Sequence, residues 1–275
     1  MVAKHPVIYL ADTLPKHFPA FAGVIARILQ EEAGAVQWLS GTRDIWARDY
    51  MPVRAANGQW VQFTYAPDYL MASKSGRASI TDVTPILDSL GIAPKRTSII
   101  ADGGNLVRFG KKALACHKLL LDNPGWQPLE LIAEVKNLLG LDQLVLLPQE
   151  PGDIFGHADG MARFVDGETV LVNDYSWRKD RLRMDVLASL YNAGLKVIEL
   201  PYDPRRNTSS MSVRGSYINF VELDANRVLV PVFGDSLDET ALAVLRKHFR
   251  KVIAVSCGEL SRKGGLLHCI TWGTP

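Results

Sequence analysis

The segment that decides the fold is ARFVDGETVLVND (residues 162–174), followed by DRLRMDVLASLYNAG (180–194) and LKVIELP (195–201). The first stretch is typical of a β-hairpin, two short strands joined at an Asp-Gly turn. The second carries apolar residues at helical spacing and closes on a glycine of the kind that ends helices. The third is a short β-branched run that predicts another strand. Together they predict a strand–strand–helix–strand unit.

The same order of elements recurs along the chain. Short glycine- or aspartate-marked segments open the units at intervals of about 50 to 60 residues, which is typical of repeat architectures. These segments are WARD, DGGN, GHAD, GSYIN and GGLLHC. Hairpins are predicted within residues 51–65, 106–120 and 218–232, strands in RTSIIA (96–101), QLVLLPQ (143–149) and KVIAVSC (251–257), and helices within residues 21–34, 80–91, 128–140 and 238–249.

The two ends of the sequence complement each other. The last unit lacks its second hairpin strand, while VIYLAD (7–12) has no hairpin before it. We therefore expect the two ends to complete one unit together, as closed propellers do to remove an open sheet edge. The prediction is an α/β fold with a single domain over residues 1–275. The side chains expected to converge at its centre are Asp49, Asp102, His157, Asp159, Asn219 and Cys269.

Composition narrows the class of protein. The chain has 275 residues, 47% of them hydrophobic, and a net charge of +2 with acids and bases interspersed, so no nucleic-acid partner is expected. No stretch approaches the roughly 20 apolar residues of a membrane span. His5 and Pro6 stand where a signal peptide would carry its apolar run, which predicts a soluble cytoplasmic protein. Three cysteines, Cys116, Cys257 and Cys269, form neither a disulfide framework nor a metal-binding CxxC pair.

A cysteine, a histidine and two carboxylates stand out as candidates for catalysis. These are the residue types that covalent thiol catalysis on a cationic carbon needs. Cys269 follows two glycines that let the backbone pass close to a ligand. His157 and Asp159 are two positions apart, and because alternate strand residues share a face, they are expected to act together. Asp49 is either the second carboxylate of this set or a surface salt-bridge partner of Arg48 or Arg43.

Asp102 and Trp46 each have two interpretations, whereas Cys116 and Cys257 have one. Asp102 precedes two glycines and is either a turn former or a substrate-binding carboxylate. Trp46 either packs in the interior or recognises a cation through its ring face. Cys116 and Cys257 are interpreted as inert buried cysteines, since cysteine is among the most buried residue types.

Five motifs extend over almost the whole chain: WARDYMP (46–52), DGGN (102–105), GHADG (156–160), NFVELDANRVLVPVFGDSLDE (219–239) and GGLLHCIT (264–271). In this order, they resemble the agmatine deiminase and bacterial-type peptidylarginine deiminase family of guanidino-group hydrolases. The resemblance implies the pentein fold, five pseudo-symmetric αβ blades around a central site. Agmatine enzymes of that family usually have WARDSGP, EGGS and HCITQQ, whereas this chain has WARDYMP, ADGGN and HCITWG.

The resemblance also implies roles. It implies Cys269 as nucleophile, His157 as general acid/base, and Asp49 and Asp159 as guanidinium-binding carboxylates. It also matches Asn219 to an asparagine of the fourth blade, and Asn219 is expected to contact the substrate. The implied reaction converts a guanidino group to a ureido group and ammonia without metal or organic cofactor. Agmatine, giving N-carbamoylputrescine, is the first expected substrate, and free or peptidyl arginine, giving citrulline, is the alternative. The partner is thus a small guanidino molecule; a homodimer is one option for the assembly.

Two readings from other classes stay open. His157, Asp159, His268 and Cys269 offer nitrogen, oxygen and sulfur ligands for a zinc hydrolase, although neither pair has a common zinc spacing. Neighbours on a strand also point to opposite faces, which opposes a metal shared by His268 and Cys269. The other alternative is a non-catalytic binding protein of the same fold.

Overall fold

The computed structural model describes residues 7–207, 209 and 211–273, so the predicted role of His5 and Pro6 lies outside it. The fold is α/β, with five three-stranded sheets. In each sheet the middle strand pairs antiparallel with one neighbour and parallel with the other. The predicted strand–strand–helix–strand unit is confirmed, because the parallel strand always follows at least one helix.

The strands and helices follow in chain order. The strands are β1 (Ile8–Ala11), β2 (Val36–Leu39), β3 (Val53–Arg54), β4 (Trp60–Thr64), β5 (Lys95–Ile100), β6 (Val107–Phe109), β7 (Lys112–Cys116), β8 (Gln143–Leu147), β9 (Ala162–Phe164), β10 (Thr169–Asn173), β11 (Lys196–Leu200), β12 (Val221–Asp224), β13 (Arg227–Val232), β14 (Lys251–Ser256) and β15 (Thr271–Trp272). The helices are α1 (Leu14–His17), α2 (Pro19–Ala33), α3 (Ala47–Tyr50), α4 (Asp68–Met71), α5 (Lys74–Ser79), α6 (Thr84–Ser89), α7 (Lys118–Leu121), α8 (Pro128–Leu139), α9 (Leu182–Asn192), α10 (Asp238–Leu245) and α11 (Leu267–Ile270).

One compact unit contains the residues up to Arg48, Thr81–Ile86 and the residues from Pro201 onward. It holds the sheets β15-β1-β2 and β12-β13-β14. Tyr9 pairs with Trp272 in antiparallel register, which confirms that the first and last strands complete one sheet. The apolar face of α2 packs into the core of this unit, and the helix ends at Gly34 with φ +81°.

The second compact unit contains Asp49–Ile80 and Leu87–Leu200. It holds the sheets β3-β4-β5, β6-β7-β8 and β9-β10-β11. Its core includes the buried face of α8, and this helix ends at Gly140 with φ +65° as its sequence predicts. The expectation of one catalytic domain over residues 1–275 stays a prediction.

Several local elements differ from the predictions. The helix expected within residues 80–91 covers only Thr84–Ser89, because Pro85 has no N–H with which to extend a helix that begins earlier. The hairpin expected within residues 106–120 ends at Cys116, and helix α7 follows. The short helices α4 and α5 have no apolar periodicity and were not predicted. Within residues 7–207, 209 and 211–273, none of the helices has the length and apolarity needed to cross a membrane.

Candidate active site

Four titratable side chains of the second unit form what we call the acidic cluster: Asp49, Asp102, His157 and Asp159. His157 is at its centre, with Nε2 2.8 Å from Asp102 Oδ2 and Nδ1 3.5 Å from Asp49 Oδ1. All four side chains are buried, and Asp159 is only 1% exposed. Three of the residues predicted to be functional from separate motifs therefore contact one another through His157.

Gly104 brings Asp159 into the same cluster. Its backbone N–H donates a 3.0 Å hydrogen bond to Asp49 Oδ1. A Cβ atom at this position would lie 2.6 Å from Asp49 Oδ1, 2.9 Å from His157 Nδ1 and 3.3 Å from Asp159 Oδ1. Three side chains of the acidic cluster thus surround one glycine, and a larger residue would displace them.

Two single-turn 3₁₀ helices position these groups. Gly103–Asn105 follows Asp102, and Ala158–Gly160 follows His157. The side-chain oxygen of Asn105 accepts N–H groups from Cys116, at 2.6 Å, and from Ala158, at 3.2 Å. Asn105 therefore ties both turns to strand β7. Sequence reasoning quoted this asparagine within DGGN without assigning it a role.

The sequence argument for His157 and Asp159 was wrong in its geometry. These residues do not alternate on a strand; His157 precedes a 3₁₀ turn that contains Asp159, and strand β9 begins after it. Gly156 has φ +62°, a conformation that favours glycine and turns the chain before His157. The two side chains enter one cluster because of this turn and not because of strand pleating.

Asp102 is not a simple turn former. Its carboxylate makes no capping bond to the turn that follows, and it faces His157 instead. The Tyr69 hydroxyl donates a 3.4 Å hydrogen bond to Asp102 Oδ2. The other oxygen, Asp102 Oδ1, is buried and has no hydrogen-bond partner within the described residues. Sequence reasoning did not identify Tyr69, because no motif contains it.

The electrostatics of the acidic cluster favour an added positive charge. Burial raises the pKa of Asp49 to about 7; His157 opposes this, while Asp102 and Asp159 add to it. For His157, burial by itself lowers the pKa, but the carboxylates of Asp49, Asp102 and Asp159 outweigh it and raise the pKa to about 10. The acidic cluster thus contains one imidazolium and three carboxyl groups. A cation that binds here would favour ionisation of Asp49 and offset the repulsion among the carboxylates.

Cys269 lies in the first unit, on the single helical turn Leu267–Ile270, which we call the cysteine turn. The Asn219 side-chain oxygen accepts the backbone N–H of His268 at 3.1 Å and that of Cys269 at 3.4 Å. The Cys269 thiol donates to the same oxygen at 3.4 Å. The expectation that His268 and Cys269 lie on a strand was wrong, because strand β15 begins only at Thr271.

Trp46 and Arg48 support this turn from within the first unit. A Cβ atom on Gly265 would lie 2.4 Å from the Trp46 ring, so the glycine backbone packs directly on the indole. Arg48 Nε donates a 3.4 Å hydrogen bond to the His268 carbonyl oxygen. These contacts agree with the packing interpretation of Trp46, and its role in substrate binding stays a prediction.

The zinc alternative requires several ligating side chains that lie close together. Within residues 7–207, 209 and 211–273, no group of three or more His, Cys, Asp or Glu side chains is arranged to hold a metal ion.

Comparison with known proteins defines the family. The model of the Porphyromonas-type peptidyl-arginine deiminase family matches residues 20–275. The chain belongs to this family, which confirms the resemblance carried by the five motifs.

Similarity to curated proteins covers part of their length. The chain is 29% identical over 171 residues to a putative agmatine deiminase of Streptomyces coelicolor, covering 56% of this chain and 50% of that protein. It is 27% identical over 211 residues to the agmatine deiminase of Stutzerimonas stutzeri, covering 64% of this chain and 57% of that protein. The matched region thus spans little more than half the length of these relatives.

Solved structures share the fold over nearly the whole chain. A C. jejuni agmatine deiminase, a C315S variant with substrate bound, superposes with TM-score 0.76 at 19% identity, covering 98% of this chain and 93% of that one. An Enterococcus faecalis agmatine deiminase gives TM-score 0.77 at 18% identity, with 98% and 93% coverage. At these identities the likeness shows the fold alone, the α/β fold of the pentein structures.

Proposed function

We propose that the protein is a cysteine-dependent deiminase that hydrolyses a guanidino group to a ureido group and ammonia, with agmatine as its first substrate. The observation that carries the proposal is the acidic cluster, three buried carboxyl groups around one imidazole in a member of this family. Agmatine is placed first because the relatives and structures named above are agmatine deiminases. Free or peptidyl arginine is the alternative within the same chemistry.

Asp49 and Asp159 are proposed to bind the guanidinium. A carboxylate accepts two parallel N–H bonds from a guanidinium, which orients the planar group and offsets the loss of its hydration. The raised pKa of Asp49 supports this assignment, because a bound cation favours the ionised carboxylate that these bonds require.

Cys269 is proposed as the nucleophile and His157 as the acid and base. The Cys269 thiolate adds to the guanidinium carbon, and the carbon–nitrogen bond to the leaving group breaks as that nitrogen takes a proton from His157 and departs as ammonia. This leaves an S-alkyl-thiouronium enzyme. His157 then removes a proton from water, the oxygen adds to the same carbon, and the carbon–sulfur bond breaks to return the thiolate. The remaining proton on that oxygen is lost to solvent, which gives the neutral ureido product. Since Asp102 holds Nε2, Nδ1 is the nitrogen that transfers these protons.

The five-bladed arrangement of the pentein fold is part of this proposal. Five three-stranded sheets with one common order of strands and helices support it. Asn219, proposed from the sequence as a substrate contact, is assigned here to holding the cysteine turn through its side-chain oxygen.

The test is a parallel assay of ammonia and ureido product from agmatine, arginine, arginine-containing peptides and a guanidine-free amine. We expect agmatine to be turned over with the highest kcat/KM and the amine not at all. Activity that survives exhaustive chelation agrees with thiol catalysis. Activity lost on EDTA treatment and restored by zinc would favour a metallohydrolase, and no ureido product from any guanidino compound would contradict the proposal.

A further inference from the structure

Tyr69 lies within the second unit at the edge of the acidic cluster. Its hydroxyl donates to Asp102 Oδ2, the same oxygen that pairs with His157 Nε2. Burial raises the pKa of Tyr69 well above its usual value, and Tyr65, Asp102 and Asp49 raise it further. The hydroxyl therefore keeps its proton over the working pH range and serves as a donor.

Two sets of contacts fix the position of this hydroxyl. The Tyr69 ring meets Phe155 edge-on, with centroids 5.1 Å apart at 84°, and Phe155 lies 6.2 Å from the His157 ring. Helix α4, which carries Tyr69, is anchored through Asp68, whose Oδ1 is 2.8 Å from Lys118 Nζ. Lys118 is buried, and Asp122 is its second partner at 2.9 Å.

The geometry points to Tyr69 as a positioning residue that, by donating to Asp102, limits how strongly Asp102 holds the proton on His157. A hydrogen bond to an ionised carboxylate stabilises its negative charge, so the same oxygen holds a second donor less strongly. The contact between His157 and Asp102 at 2.8 Å is shorter than that of Tyr69 at 3.4 Å, so the pair persists without the hydroxyl. The inference rests on the proposed function, because it concerns the proton that His157 gives to ammonia.

Several titratable groups besides Tyr69 act on the pair formed by His157 and Asp102. Removal of the hydroxyl leaves their charges unchanged and concentrates more charge on Asp102 Oδ2. We therefore expect His157 to retain its proton to higher pH. The titratable groups acting on His157 or Asp102 are Asp49, Asp159, Tyr69 and Asp122, with Tyr65 acting on Tyr69.

The experiment compares Tyr69→Phe with Tyr191→Phe in the full-length protein. Phenylalanine keeps the ring packing on Phe155 and removes only the hydroxyl, and Tyr191 is a matched control on α9 that is 58% exposed. In Tyr69→Phe, the kcat/KM limb governed by His157 should move to higher pH by about half a unit, a threefold change in proton affinity. Tyr191→Phe should leave the profile unmoved.

A second measurement does not depend on turnover. In ¹⁵N-histidine-labelled protein, the imidazole signals of His157 are identified by their loss in His157→Gln, and their titration midpoint should move upward by the same half unit in Tyr69→Phe. An unmoved or lowered midpoint, with an unmoved rate profile in an active wild type, would overturn the role of Tyr69. A wild type that hydrolyses no guanidino compound would overturn the proposed function, and the titration would still decide the role of Tyr69.

Discussion

The acidic cluster and the cysteine turn are built on different interactions. In the acidic cluster, three carboxyl groups and one imidazole hold each other through charge, and the pKa values of Asp49 and His157 are raised. In the cysteine turn, one neutral amide oxygen, from Asn219, accepts two backbone N–H groups and the thiol. The first arrangement responds to any change of charge or pH, while the second depends on local backbone geometry.

Under the proposed function, the acidic cluster and the cysteine turn therefore contribute to different steps of the reaction. Binding of a cation and proton transfer belong to the acidic cluster, because electrostatic complementarity acts on the substrate before and during reaction. Bond formation belongs to the cysteine turn, since a thiolate is the nucleophile. Changes to the cysteine turn should therefore lower kcat and leave substrate binding intact. Changes to the acidic cluster should lower both kcat and the affinity for the substrate.

The largest effect is expected from Cys269→Ala. Without the thiol no covalent intermediate forms, so kcat should fall by at least about a thousandfold, while calorimetry should still detect binding of agmatine. Cys257→Ala is the matched control in the same unit, because this buried cysteine packs in the core and burial raises its pKa. Substantial hydrolysis by Cys269→Ala would contradict the covalent mechanism.

Asp49→Asn and Asp159→Asn should each lower kcat/KM more than a hundredfold. Each change removes a charge and turns one acceptor oxygen into a donor that faces the N–H groups of the substrate, a cost of at least about 3 kcal/mol. Because both carboxylates act on one cation, the double variant should be little worse than either single one. Steady-state kinetics measure this, and additive losses would show that the two residues serve different sites.

Gly104→Ala should lower kcat/KM by about tenfold to a hundredfold. The new Cβ would overlap Asp49 Oδ1 and His157 Nδ1, and displacement of catalytic groups by about 1 Å has effects of this size. Gly160→Ala is the matched control, because a Cβ there meets no atom within 4 Å. Equal kinetics for the two variants would show that the tight packing around Gly104 has no consequence for the reaction.

The effect that is smallest per unit of change is the contribution of His157 to the slope of stability against pH. Its pKa of about 10 in the folded chain exceeds the ordinary value of 6.5, so between these pH values the folded state binds more protons than the unfolded state. The free energy of unfolding should therefore fall as pH rises through this range, by at most about 1.4 kcal/mol per pH unit for one proton.

Urea unfolding from pH 7 to 10 measures this slope. His157→Gln should flatten it, and His248→Gln, a substitution outside the acidic cluster, should leave it as in the wild type. Identical slopes for the wild type and His157→Gln would contradict the raised pKa of His157.

The sequence by itself determined the repeated unit. Hydrophobic periodicity and glycine stops located α2 and α8, and the hairpin turns located the paired strands, because these signals depend on neighbouring residues only. The pairing of the first and last strands also followed from the sequence, since a unit that lacks one strand leaves an edge that its missing partner can cover. The motifs marked the residues to which the proposed chemistry is assigned.

Only the tertiary structure decided which contacts those residues make. His157 and Asp102 are 55 positions apart, and Cys269 and Asn219 are 50 apart, so no local pattern specifies their hydrogen bonds. Tyr69 was missed for the same reason, because it reaches Asp102 at the edge of the acidic cluster from the unpredicted helix α4. Side-chain contacts of this kind depend on how packed elements place distant backbone segments, and periodicity within one segment carries no information about them.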